Sequence, residues 1–151
     1  MGLEFLANIT FSFITSLREV LEASLIIGII ESYLTFIDRK DLHRDVFYGV
    51  LGAIGFSISI AWVFLTFFTG LDEYQKLFEG VVMLLAAGVL SWMILWMNRQ
   101  AKYIRSDFQE KIDKIITKHE KAGITLLVFF SVAREGAELV LLLYASYVGS
   151  V

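Results

Sequence analysis

The 151-residue chain contains no cysteine, no proline and only two histidines. Without cysteine there are no disulfides, no thiolate metal sites and no cysteine nucleophile, and the redox compartment is left unspecified, so hard oxygen ligands are what remain for a metal. The lack of proline fits helices without proline kinks. Charge is also scarce, at 19% of residues against 57% hydrophobic, and the mean hydropathy of +0.68 lies far outside the range of soluble domains. The chain therefore reads as an integral membrane protein. Its net charge of -3 says little until the charges are placed. A cleavable signal is not expected, because the N-terminus lacks a basic region and the first apolar segment exceeds a signal core.

Four apolar segments, at 5–37, 46–68, 78–97 and 124–148, reach or exceed the roughly 20 helical residues that cross a bilayer. Backbone groups in lipid must be satisfied internally, which predicts an all-α, polytopic membrane protein of four transmembrane helices. Gly49, Gly52 and Gly55 on the second segment, and Ala86, Ala87 and Gly88 on the third, are expected to allow close helix approach. Ten of the 13 lysines and arginines fall in the loop 38–45 and the segment 98–121. Both loops are therefore placed in the cytoplasm, with the N-terminus outside the plasma membrane. Within the second, Ile104, Phe108, Ile112 and Ile115 recur at helical spacing, with Asp107/Lys111 and Glu110/Lys114 as i,i+4 pairs, so this segment is expected to be a basic amphipathic connector held at the inner surface by anionic lipid. His43 and His119 lie in these cytoplasmic segments and are expected to be solvated. No nucleic-acid partner is expected.

SLREVLEASL, residues 16–25, places Arg18, Glu19 and Glu22 inside the first apolar segment. A charge near the bilayer centre costs about 2.5–3.5 kcal/mol on insertion scales, so three in one span need a compensating environment. They fall within about 100° around a helix, an arc that can be buried against other helices or a water-filled cavity. The pattern recurs in SVAREGAEL, 131–139, as Arg134, Glu135 and Glu138. A shift of 116 residues superimposes all three charges, Phe13 on Phe129, and Thr15 on Ser131. This is the mark of an internal duplication. Because the copies begin three spans apart, their helices cross in opposite directions, as in an inverted repeat with its site near the midplane. The division is then 1–97 as a first three-helix repeat, 98–122 as the connector, and 123–151 as the first helix of a second repeat.

If each arginine pairs with one glutamate, a second carboxylate in each motif is left unbalanced. A bound cation fits best, and four carboxylates suit Fe3+, Mg2+, Mn2+ or Ca2+. Structural ion pairs alone, or carboxylates that carry protons, are the alternatives. Glu79, at the outer end of the third segment, is a secondary candidate. So is Glu31, about 180° around the helix from Glu22 and near the cytoplasmic end.

The two R-E-x-x-E motifs, with LFEGVVMLLAAGVLSWMILWM (77–97) between them, resemble the oxidase-dependent iron permease family, fungal and bacterial, over nearly the whole chain. The resemblance implies a permease rather than an enzyme. It would take up iron, Fe3+ foremost, as transported ion with no cofactor, alongside a multicopper ferroxidase or a periplasmic oxidising or iron-binding partner. Relatives assigned to lead or ferrous iron keep Fe2+, Pb2+ and Mn2+ open. The motif carboxylates Glu19, Glu22, Glu135 and Glu138 would bind the metal, and Arg18 and Arg134 would offset their charge. Glu4, Asp72, Glu73 and Glu79 would give weak attraction outside. Val20 stands where the family has glycine, while Gly136 keeps it, so packing is expected to differ in the first copy. Family members have about seven helices in inverted repeats, so this chain is expected to be a fragment or to draw further helices from another chain. The oligomeric state stays open. A carboxylate di-iron oxidoreductase would use E-x-x-H pairs, and no span holds histidine. A structural or assembly subunit is the remaining rival.

Overall fold

The computed structural model describes residues 2–68, 74–100, 103–118 and 122–148. These form five helices: α1 (Gly2–Phe36), α2 (His43–Phe68), α3 (Gln75–Gln100), α4 (Ile104–Thr117) and α5 (Gly123–Val148), with a 3-10 turn at Lys40–Leu42 before α2. Each of the four apolar segments is one helix, extended by a few residues where polar ends continue the turn. Asp72, Glu73 and His119 lie outside the described residues.

Two helical stretches, Lys40–Thr66 and Lys76–Arg99, are long and apolar enough to cross a membrane by length and composition. Helices α1 and α5 are at least as long as α2 and α3, but each carries the three motif charges in its middle. The motif charges are what interrupt their apolar character.

Helix α1 ends where Asp38 adopts a left-handed conformation, φ 57°. The Arg39 amide then bonds back to the Leu34 carbonyl at 2.9 Å and the Asp38 amide to that of Thr35 at 3.2 Å, a Schellman closure with aspartate in the usual glycine position. Arg39 pairs with Asp41 in the following turn, and this hydrogen bond holds the exposed Asp41 carboxyl below its usual range.

Helix α5 is the centre of the bundle, packed by α2, α1 and α3. Against α2 the approach is close because the small residues are there. A Cβ on Gly49 would lie 2.8 Å from both the Thr125 carbonyl oxygen and Val128 Cβ, and one on Gly52 would lie 3.2 Å from the Phe129 ring. The Thr125 hydroxyl donates across this seam to the Asp45 carbonyl. Gly55 and Gly88 meet nothing within van der Waals distance, so their expected packing role is not seen.

Helices α1 and α5 run antiparallel. The Ser12 hydroxyl meets that of Ser146 at 3.1 Å near one end, Glu19 meets Glu135 in the middle, and Ile26 and Ile30 share a core with Val128 and Ile124 towards the other. That core also takes in Leu34, Val46 and Ile112.

Ile112 corrects the picture of α4 as a helix laid on lipid. It is fully buried, with Phe108, Ile115 and Ile116 packed around the same core, and the Tyr33 hydroxyl donates to Asp113 from α1. Protein takes the apolar face expected to meet the membrane. Of the two expected pairs on α4, Glu110–Lys114 forms at 2.9 Å, while the Lys111 ammonium stands over the Phe108 ring.

Candidate metal centre

The motif residues meet because α1 and α5 cross the same level in opposite directions. Within each helix, i,i+4 spacing lets the arginine reach the second glutamate of its own motif: Arg18 Nε lies 2.9 Å from Glu22 Oε1, and Arg134 Nε lies 3.0 Å from Glu138 Oε1. The first glutamate of each motif points instead at the other helix. Glu19 is 2% exposed and Glu135 6% exposed. Both oxygens of Glu19, and one each of Glu135 and Glu138, are buried without a hydrogen-bond partner.

An orphaned buried carboxylate oxygen is costly, and several together repel one another. Glu19, Glu22 and Glu135 each turn one oxygen into a common space, all within 4.8 Å of one another. Three hard oxygen donors gathered in this way could hold a cation. Glu138 lies outside that trio, but close enough for its charge to act on Glu19.

Two cavities meet this cluster. One of about 370 Å3 is bordered by Glu22, Glu135, Arg134, Trp96 and Met97, with Asp107 and Lys111 of α4 at its far side. The other, about 210 Å3, lies among α1, α2 and α5 against Glu19, Ser57 and Glu135. Glu135 borders both.

Neither secondary candidate joins the cluster. Glu31 pairs with His43 at the start of α2, and the Thr35 hydroxyl lies 3.5 Å from the same ring, so His43 is engaged rather than simply solvated. Glu79 is half-buried on the first turns of α3, near enough to Tyr144 of α5 for its charge to be felt there.

The departure at Val20 has a local explanation. Gly136, its counterpart, lies so close to Ser57 of α2 that a Cβ would overlap the hydroxyl oxygen, whereas Val20 is exposed. Only the second copy presses against a neighbouring helix at this position.

Two residues at the site were not anticipated. The Arg134 guanidinium carbon stands 4.5 Å from the centroid of the Trp96 ring, and Arg18 Nη2 donates to Met97 Sδ at 3.1 Å. Their signal was the Trp-Met pair closing the third apolar segment, but nothing local says what such a pair meets.

An all-helical bundle in which buried acidic residues converge from two copies of one motif is an arrangement that could hold a cation. The chain belongs to the iron permease FTR1 family, whose pattern matches residues 11–151, a family of polytopic membrane transporters rather than enzymes. It is 34% identical over 139 residues to the ferrous iron permease EfeU of Escherichia coli O6:H1, covering 89% of this chain and 50% of that protein. The same identity over 139 residues relates it to EfeU of Yersinia pestis, covering 89% and 49%, and to the putative inactive ferrous iron permease EfeU of Escherichia coli K12. The chain thus spans about half the length of these relatives. No solved structure matches it.

Proposed function

We propose that this chain forms the ion-binding portion of an iron permease, in which Glu19, Glu22, Glu135 and Glu138 hold the transported cation and Arg18 and Arg134 limit the negative charge around it. The observation that carries this is the convergence of buried Glu19 and Glu135 from antiparallel helices, with both oxygens of Glu19 and Oε2 of Glu135 lacking a hydrogen-bond partner. Four carboxylates and two guanidinium groups leave a formal charge of about -2 at the level of the cluster, which an incoming cation would compensate.

In this reading α1, α2, α3 and α5 span the plasma membrane with the N-terminus outside. Residues 1–97 form one repeat, 98–122 a cytoplasmic connector, and 123–151 the opening helix of an inverted second repeat. The superposition of both motifs by one shift and the antiparallel course of α1 and α5 support it. Iron exchanges part of its hydration shell for the carboxylates. Each second glutamate is already half-neutralised by its own arginine, so the site attracts the ion without trapping it. Rocking of one repeat against the other then exposes Glu135 to one cavity and next to the other. A ferroxidase or periplasmic iron-binding protein would supply the ion.

An all-oxygen donor set favours Fe3+, whereas the names of the relatives favour Fe2+. Iron binding by the purified protein in lipid nanodiscs, measured for Fe2+ without oxygen and for Fe3+ as its citrate complex, tests both. Binding of one or both oxidation states that Glu135→Gln abolishes is expected. Equal binding by the unaltered protein and Glu135→Gln overturns the site.

A further inference from the structure

We propose that Trp96 is a positioning residue for the cation site, acting through Arg134. This rests on the iron-site reading above. Arg134 has one guanidinium and three claims on it: Glu138 Oε1, which it meets through Nε at 3.0 Å; the orphaned oxygens of Glu135 and Glu138; and the Trp96 ring, 4.5 Å from its central carbon. An indole face is the strongest aromatic partner for a guanidinium, and its pull grows where water is excluded. Seated on that face, the guanidinium presents its Nε edge to Glu138 and leaves the second carboxylate oxygens open.

Without the ring, those open oxygens are buried acceptors with no hydrogen-bond partner of their own. The guanidinium then turns its Nη groups onto them, and a metal ion must compete with a tethered positive charge. Trp96 thereby keeps Arg134 near the site yet out of it. The neighbouring Met97 serves the first motif in the same way, since its sulfur takes the outer Nη2 of Arg18 while Nε stays on Glu22. Adjacent residues near the end of α3 thus hold both motif arginines, and any displacement of α3 would release the two together.

The test is equilibrium dialysis of the purified protein against radiolabelled Fe2+ without oxygen, for Trp96→Leu, Trp96→Met, Trp96→Phe, and Trp96→Leu combined with Arg134→Gln. Trp96→Leu and Trp96→Met are expected to bind about two- to five-fold more weakly, matching the loss of a cation–π contact whose arginine is 39% exposed. Trp96→Phe restores most of the affinity, because it keeps a π face. In the Arg134→Gln background the Trp96→Leu change has no further effect, which a merely structural role for the ring would not produce. Methionine serves as a second flexible replacement should leucine disturb folding. Unchanged affinity in Trp96→Leu and Trp96→Met, or the same weakening with Arg134 absent, overturns the proposal. Glu135→Gln, run alongside, separates this from failure of the site itself: if that variant binds iron as the unaltered protein does, the site reading falls first.

Discussion

Glu19 of α1 and Glu135 of α5 face one another inside the bundle, each the residue next after its motif arginine and neither bonded to it. Their arginines are spent on Glu22 and Glu138 instead. A protein selected for stability alone would not set two buried carboxylates against each other. Replacing one by its neutral isostere removes the repulsion, so Glu19→Gln is expected to stabilise the metal-free protein by about 1–3 kcal/mol while abolishing iron binding. Thermal unfolding in detergent, read with the binding assay, checks both halves. A destabilised Glu19→Gln would show that the carboxylate is held by partners rather than strained.

The seam between α2 and α5 makes a sharper packing prediction, because two glycines one and a half turns apart differ in what surrounds them. At Gly49 an added methyl meets backbone and a β-branched side chain at 2.8 Å, atoms that cannot yield cheaply, while at Gly55 it meets open space. Gly49→Ala is expected to destabilise by about 1–3 kcal/mol. Gly55→Ala is expected to stabilise by up to about 1 kcal/mol through helix propensity. Opposite shifts in melting temperature confirm the seam, and shifts of one sign refute it.

Docking of α4 rests on Ile112, which is fully buried in the core it shares with α1 and α5. Trimming it to alanine is expected to cost about 2–5 kcal/mol locally. Amide exchange in α4 should then accelerate while the α2–α5 seam keeps its protection. Uniform acceleration would mean that α4 is integral to one cooperative unit.

Much of this was legible beforehand, for identifiable reasons. Apolar runs of spanning length report helices directly, and the 116-residue shift placed six charges in two groups before any coordinates existed. The sequence does not say which glutamate each arginine takes, although i,i+4 spacing favours the second of each motif. The fate of α4 was not legible, because an apolar stripe at helical spacing looks the same whether lipid or Ile26, Ile30 and Val128 will cover it. Trp96 was hidden for another reason: it stands in one apolar helix and Arg134 in another, and hydropathy carries no information about which helices touch. His43 likewise has its partner, Glu31, across a turn whose closure depends on the left-handed Asp38.

The separation of Glu31 from the cluster yields the last prediction. Anything that binds the folded protein alone raises its stability, by about 2.7 kcal/mol when the free ligand is at 100 times its dissociation constant. Iron is therefore expected to raise the melting temperature of the unaltered protein and to leave Glu22→Gln and Glu135→Gln unmoved. Glu31→Gln loses the carboxylate charge that faces His43, so its metal-free melting temperature should fall; but the trio of Glu19, Glu22 and Glu135 is untouched, and the rise on adding iron should persist. The two carboxylates Glu22 and Glu31 sit on one helix, and both were candidates by sequence. If Glu31→Gln abolished the iron-dependent rise while Glu22→Gln kept it, the ion would be held at the α1–α2 turn and the buried cluster would be a structural feature only.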